Sequence, residues 1–166
     1  MTINFRRARS TDLGAIVTIF NESVDLPIND EVELITPDSR RAWLAEFDDD
    51  FPLWVAESAG QVVAWCGLEP FYPHPAYRFA AEISIYVGRA AQGQGIGRCF
   101  LDLVDRQVHD HLPIKTIVAY IYRGNQASQH LFTTAGFTRW GQLHQIANLN
   151  GTFHDLLIYG KTYKKD

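Results

Sequence analysis

The sequence predicts a mixed α+β (α/β) fold, a central twisted mixed β-sheet flanked by helices on both faces. Three observations predict it. Apolar residues alternate in two-residue steps in some segments and recur at helical spacing in others, in the order β-α-α-β-β-β-α-β-α-β-β. In the first half, Ala59-Gly60 marks a tight turn between two strand-like segments, so part of the sheet is antiparallel. The second half reads β-α-β-α-β, which calls for parallel pairing and for helices against the sheet. At 166 residues the chain is expected to form a single domain over 1–166.

Each element has its own signal. Ile3 to Ala8 reads as the first strand. Ser10-Thr11-Asp12 supplies capping side chains for a helix on which Leu13, Ile16, Val17 and Phe20 share a face. Asp25 to Pro37 reads as a loop, since it holds Pro27, Asn29-Asp30 and Pro37. Arg40 to Phe47 is a second helix with Trp43, Leu44 and Phe47 on one side. The acidic run Asp48-Asp49-Asp50 ends it as a solvated turn. Leu53–Glu57 and Gln61–Leu68 are the two hairpin strands. Glu69 to Ala76 carries Pro70, Pro73 and Pro75 and is expected to be irregular. Phe79 to Val87 is the next strand, and Gly93 to Gly97 a glycine-rich turn. Gly97 to His111 is a helix with Phe100, Leu101, Val104 and Val108 on one face, stopped by Pro113. Ile114 to Tyr122 is a β-branched strand, and Ala127 to Thr134 a short helix closed by Gly136. Phe137–Ile146 and Phe153–Tyr163 are the last strands, with a turn at Asn150-Gly151.

Composition narrows the function classes. The chain is 46% hydrophobic and 20% charged, which excludes disorder along its whole length. The net charge is −4, so a basic face for wrapping nucleic acid is not expected. A small anionic ligand needs only a local site and stays open. Cys66 and Cys99 lie in apolar segments without metal spacing and read as buried free thiols of a reducing compartment. The opening Met1–Arg7 lacks an apolar run, and no apolar stretch has the length to span a bilayer. A cytoplasmic protein without membrane association is expected. His109 and His111 are two apart on a helix and face differently, so no metal site is expected.

The chemistry concentrates in Ile83 to Arg98. A strand ends, a linker follows, and Gly93, Gly95 and Gly97 lead into a helix. Glycines let backbone N–H groups converge, and the helix start adds unpaired N–H groups and a positive dipole end. That combination suits a pyrophosphate, with Arg98 adding charge. The same glycines also fit a turn that only permits close packing. No P-loop string is present, and the G-x-G-x-G spacing departs from a dinucleotide fingerprint.

Gln92-Gly93-Gln94-Gly95-Ile96-Gly97 resembles the Q/R-x-x-G-x-G/A signature of the GNAT N-acetyltransferases. The resemblance covers nearly the whole chain. Arg7-Ala8-Arg9 with Asp12-Leu13 is similar to the family's opening, and Asn125-Gln126-Ala127-Ser128 with Leu131-Phe132 and Gly136-Phe137 to its second motif. Ala81–Val87 and Thr152–Asp155 are most similar to the phosphinothricin and methionine sulfoximine acetyltransferase branch.

The resemblance implies a fold, a co-substrate and a set of roles. The fold is the GNAT fold. The co-substrate is acetyl-CoA, its pyrophosphate on the amides of Gln92, Gly93, Gln94, Gly95, Ile96, Gly97 and Arg98. Its pantetheine arm lies beside Ile85, Tyr86 and Val87, and Asn125 and Ser128 join the same site. Asn125 also fits a helix cap for the segment beginning near Ala127. The reaction is acetyl transfer to a small-molecule amine, an amino acid or an analogue. Val87 offers a backbone N–H to the developing oxyanion.

Two-residue alternation puts Ala80, Glu82, Ser84 and Tyr86 on one face of the strand, opposite Phe79, Ala81, Ile83, Ile85 and Val87. Glu82 matches the branch's catalytic glutamate and is the candidate base, a role that needs a raised pKa. A solvated or ion-paired glutamate is the other reading. The acceptor pocket is expected opposite the cofactor arm, built by Leu26–Pro37, Phe71–Phe79 and the last hairpin. Tyr72, His74, Tyr77, Arg78 and Ser84 are candidate acceptor contacts, with Arg78 suited to a carboxylate. The rival reading is a surface arginine on a proline-pinned loop. The branch often carries an arginine near Tyr72, which this chain lacks. Phe132 stands where many relatives place a tyrosine acid; Tyr120, Tyr122 and His130 are the alternatives. A homodimer is implied. A protein N-terminus or polyamine as acceptor, and a non-catalytic acyl-CoA sensor, are the alternatives.

Overall fold

A computed structural model describes residues 2–24 and 26–164. Asp25, the first residue of the expected loop, lies outside them, as do Met1, Lys165 and Asp166. Among the described residues one sheet holds β1 (Ile3–Arg7), β2 (Leu53–Ser58), β3 (Gln61–Pro70), β4 (Ala80–Val87), β5 (Thr116–Tyr122), β6 (Thr138–Leu149) and β7 (Thr152–Thr162). The spatial order is β1-β2-β3-β4-β5-β7-β6. β4 and β5 pair parallel, and all other neighbours pair antiparallel. The helices are α1 (Leu13–Asn21), α2 (Arg41–Ala45), α3 (Ile96–Asp110) and α4 (Gln126–Thr134).

Helices cover both faces because each presents one apolar stripe. On one face, Ile96, Phe100, Leu101 and Val104 of α3 and Phe132 of α4 meet Cys66, Leu68, Ala81, Ile83 and Ile117 of the sheet. On the other, Ile16 and Ile19 of α1 pack on Leu53, Val55 and Trp65, with Trp43, Leu44 and Phe47 against them. Asp12 anchors the entry to α1 differently from a simple cap. Its buried carboxylate accepts bonds from Arg6 at 2.8 and 3.0 Å and from the Arg9 N–H at 2.7 Å. Arg6 holds that carboxyl below its usual range.

Three details differ from the sequence reading. β3 continues past Leu68 through Pro70. Leu68 N–H donates to Pro52 O at 3.0 Å. β2 begins at Leu53, opposite Gly67, so the proline nitrogen faces a side with no strand to donate to. β6 runs on to Leu149, with irregularities between Arg139/Gly141 and Leu143/Ala147. Gln145 there has φ +48, so the strand curls rather than running flat. Cys66 is buried, but Cys99 is exposed on the outer side of α3, which corrects the expectation of two buried thiols. The Ala59-Gly60 turn has φ +49 and +77, as a two-residue hairpin demands.

Candidate active site

The site is built where the sheet opens. β4 and β5 pair only at Ala80↔Thr116, Ala81↔Ile117 and Glu82↔Val118. Beyond that point β5 stays with β7 through Tyr122, while β4 stays with β3 through Val87. Phe71 N–H donates to Ala80 O at 3.1 Å, and Gly88 N–H donates to Val63 O at 2.9 Å. Antiparallel pairing alternates, so Glu82, Ser84 and Tyr86 also point their backbone groups at β3. Ile85 and Val87 therefore point theirs into the gap that β5 has left. Gln92 Nε2 donates to the Val87 carbonyl at 3.1 Å. The gap widens into a cleft of about 700 Å³, lined by Glu82–Val87, the glycine turn, Ala119–Tyr122 and the start of α4.

The glycines divide their work. Gly93 and Gly95 have φ +75 and +77, a left-handed backbone that a side chain would strain. Gly97 serves packing instead: a Cβ there would lie 2.9 Å from Leu131 Cδ2 of α4. The close-packing reading of this turn therefore holds at Gly97, while Gly93 and Gly95 set the path of the backbone. α3 begins at Ile96, and Cys99 N–H donates to Gly95 O at 3.1 Å. The amides of Ile96, Gly97 and Arg98 thus lack a partner one turn back. Gln92, Gly93, Gly95, Ile96, Gly97 and Arg98 line the cleft. Gln94 does not, and its Nε2 donates to Ala90 O at 3.3 Å. Arg98 pairs with Asp102 at 3.0 Å and donates to Thr134 O at 2.8 Å. Asn125 Oδ1 accepts from Ser128 N–H at 3.1 Å and caps α4, while both residues line the cleft.

Glu82 sits at the vertex, in the last pair before the strands part. It lines the cleft and also a second cavity of about 240 Å³ on the α1–α2 face of the sheet. Burial pushes its carboxyl up to about 7, with Glu69 and Asp30 adding like-charge repulsion. Glu69 lies directly across from it on β3 and accepts a bond from Trp43 Nε1 at 2.9 Å. Burial raises Glu69 as well. Tyr122 donates its hydroxyl to Asp30 at 2.5 Å. Tyr86 stacks on Trp65 with ring centroids 4.7 Å apart.

The other expected residues separate. Tyr72, His74, Tyr77 and Arg78 line neither the cleft nor the cavity. Tyr72 packs beside His74 and Tyr77 on the exposed proline segment, and the Arg78 guanidinium lies 4.4 Å from the Phe79 ring centroid. Ser84 lines both spaces. Phe132 is buried against Phe137. Tyr120 and Tyr122 line the cleft, and exposed His130 does not. Burial and the Glu82 charge raise Tyr120, so its hydroxyl keeps its proton. Of the three segments expected to build the acceptor pocket, the loop 26–37 supplies Asp30, Glu31 and Ile35 to the cavity. Sequence reasoning missed Arg40, Trp43, Trp65 and Glu69. Only Glu69 had a readable signal: antiparallel pairing around the proline segment sets it opposite Glu82, once β3 is allowed to include Pro70.

A splayed parallel pair above a glycine turn and a helix start offers unpaired backbone groups to an extended ligand with an anionic end. Residues 2–138 match the family described as acetyltransferase (GNAT) domain. The chain belongs to the GNAT acetyltransferases, with the mixed sheet and flanking helices of that fold. It is 36% identical to YwnH of Bacillus subtilis over 96% of this chain and 98% of that one. It is 33% identical to the L-methionine sulfoximine/L-methionine sulfone acetyltransferase of Salmonella typhimurium, over 94% of this chain and 91% of that one. A GNAT phosphinothricin acetyltransferase from Sinorhizobium meliloti, solved in complex with acetyl-CoA, superposes with a TM-score of 0.90 at 25% identity, covering 98% of this chain and 89% of that one.

Proposed function

We propose that this chain transfers the acetyl group of acetyl-CoA to the primary amine of a small molecule, an amino acid or an analogue of the phosphinothricin or methionine sulfoximine type. The observation that carries this reading is the open edge of β4, which offers unpaired backbone groups beside a carboxyl poised near neutrality. Ile85 pairs with the pantetheine arm as a missing strand would. The amides of Gly93 to Arg98 hold the pyrophosphate, and Asn125 and Ser128 border it. Arg98 reaches phosphate by exchanging Asp102 and Thr134 for it. No metal is needed for this chemistry; among the described residues no three His, Cys, Asp or Glu side chains group as a metal site.

Glu82 accepts a proton from the acceptor's ammonium, directly or through a water, which frees the lone pair. The amine nitrogen then bonds to the thioester carbonyl carbon. Val87 N–H donates to the carbonyl oxygen as charge builds there. The C–S bond breaks, the sulfur leaves with the electron pair, and the nitrogen's surplus proton passes through water to the thiolate, giving amide and free CoA thiol. Phe132 has no proton to give the sulfur; Tyr120 is a protonated hydroxyl in the same cleft. Alignment of amine and thioester across Glu82 supplies much of the rate.

The chain acts in this reading as one domain over 1–166 and as a cytoplasmic homodimer. Exposed Trp140, Ile146 and Phe153 on the β6–β7 hairpin support self-association. The net charge of −4 speaks against a nucleic-acid partner. Among the described residues no helix is long and apolar enough to cross a membrane. Free-thiol release from acetyl-CoA, measured across amino acids, methionine sulfoximine, phosphinothricin, polyamines and short peptides, tests the reading. Acceptor-dependent release supports it and names the acceptor class. Silence with intact acetyl-CoA binding favours a sensor, and silence without binding refutes the reading of Gln92 to Arg98.

A further inference from the structure

We infer that the cavity beside Glu82 is the acceptor subsite, that Arg40 anchors the acceptor's carboxylate there, and that the surrounding acids exclude a second anionic group. This rests on the acetyl-transfer reading, in which Glu82 meets the amine. The cavity and the cleft share Asp30, Glu82, Ser84 and Tyr86, so an acceptor lying in one presents its amine to the other. Arg78, the cation that the sequence offered for a carboxylate, lies outside both.

One cation inside the cavity is available to an anion. Arg40 is the one cation among its described lining residues, and its guanidinium carbon lies 5.9 Å from the Phe20 ring centroid. Its partner is Glu31, with side chains 30% and 38% exposed. An ion pair that exposed contributes little, so a carboxylate of the acceptor displaces Glu31 at small cost. Trp65 is 3% exposed and lines the same cavity. Its Nε1 is buried and finds no acceptor among the described residues. That N–H is enclosed by protein, so Trp65 serves the cavity through the face of its ring. Trp43 Nε1, by contrast, is already given to Glu69.

The remaining wall sets the side chain. Trp65 lies 4.7 Å from Tyr86 in a stack and 5.6 Å from Trp43 edge-on, which leaves flat apolar surface. Asp30, Glu31 and Glu69 also line the cavity, against Arg40 alone. A single carboxylate uses up that cation, and a second anion meets no further cation and a surplus of acids. The acceptor class is therefore an amino acid with one carboxylate and an uncharged side chain. Phosphinothricin, with a carboxylate and a phosphinate, fits poorly.

The test is CoA release with the full chain, using L-methionine sulfone, its carboxamide and phosphinothricin. The carboxamide has the less basic amine, so a preference for the acid cannot come from a larger share of free base. In the wild type the sulfone is expected to exceed both its carboxamide and phosphinothricin at least tenfold in kcat/KM. In Arg40→Gln the acid-to-carboxamide ratio is expected to fall to near one, mostly through KM, and Arg40→Lys to recover part of it. The ratio is taken within each variant, so inactive protein cancels. A wild-type ratio near one, or an unchanged ratio in Arg40→Gln, overturns the anchor. Phosphinothricin turned over as well as the sulfone overturns the exclusion. If none releases CoA, calorimetric binding of the same three compounds in the presence of CoA reads the cavity alone. Acid-selective binding that Arg40→Gln abolishes then sustains the anchor while acetyl transfer falls. Equal or absent binding overturns both.

Discussion

The two edges of β4 differ as sharply as any two parts of the molecule. Toward β3 the strand is paired from Ala81 to Val87, and its backbone groups are spent on the sheet. Toward β5 it is paired only to Glu82, and the groups of Ile85 and Val87 have no strand beside them, the edge proposed for the pantetheine arm. One strand thus carries a structural edge and a chemical edge, with Glu82 at the vertex where pairing stops. The difference teaches that the site costs the fold no broken ladder: β3 holds β4 in place while β5 turns away with β7.

Substitutions sort by edge. At the vertex, Glu82→Gln should lower turnover about 10²–10⁴-fold, the range for a lost general base, with acetyl-CoA affinity within a few-fold by calorimetry. A variant with near-wild-type turnover would remove Glu82 from the chemistry. In the wild type, kcat/KM should rise with pH through about 7, as Glu82 loses its proton, and flatten above. On the open edge, Val87→Pro removes an N–H that no strand uses, so the fold should survive while turnover drops about 10²–10³-fold. On the closed edge, Tyr86→Pro removes a ladder bond and the stack on Trp65, and should cost about 3 kcal/mol or more in denaturant unfolding. Equal losses of stability from the two prolines would erase the distinction.

Smaller effects sharpen it. Gly95→Ala forces a side chain into the left-handed region at φ +77, at about 1–2 kcal/mol, and should weaken acetyl-CoA binding roughly tenfold. The smallest effect concerns stability. The folded state holds the Glu82 proton more tightly than the unfolded chain, whose carboxyl titrates near 4.5. That contribution favours folding below pH 4.5 and is lost as pH rises to about 7. Glu82→Gln should therefore melt higher than the wild type at pH 8 and no higher at pH 4. The reverse order would mean that Glu82 is stabilised as a carboxylate.

Much of this was legible in the sequence because it is local. Helix starts and stops, the Ala59-Gly60 turn and the two-residue alternation of β4 depend on residues close along the chain. The glycine turn was legible for the same reason. The splay was not, since it depends on where β5, more than 30 residues on from β4, ceases to pair. The cavity proposed for the acceptor was hidden for a related reason. Phe20, Arg40, Trp65 and Glu82 come from α1, the turn before α2, β3 and β4, and only packing brings them together. Pro70 masked the end of β3 and with it the Glu69–Glu82 pairing. Arg78 was a chemically sound candidate for a carboxylate, but packing on the exposed Phe79 ring keeps it away from the cleft.

The most direct test is amide hydrogen exchange along β4, with and without acetyl-CoA. The account predicts that the Ser84 and Tyr86 amides are protected in both states. The Ile85 and Val87 amides should exchange freely in the unliganded protein and slow at least tenfold when acetyl-CoA is added. Amides of Ile85 and Val87 already protected without ligand, or unaffected by it, would contradict the claim that this edge of β4 is the acyl-CoA site.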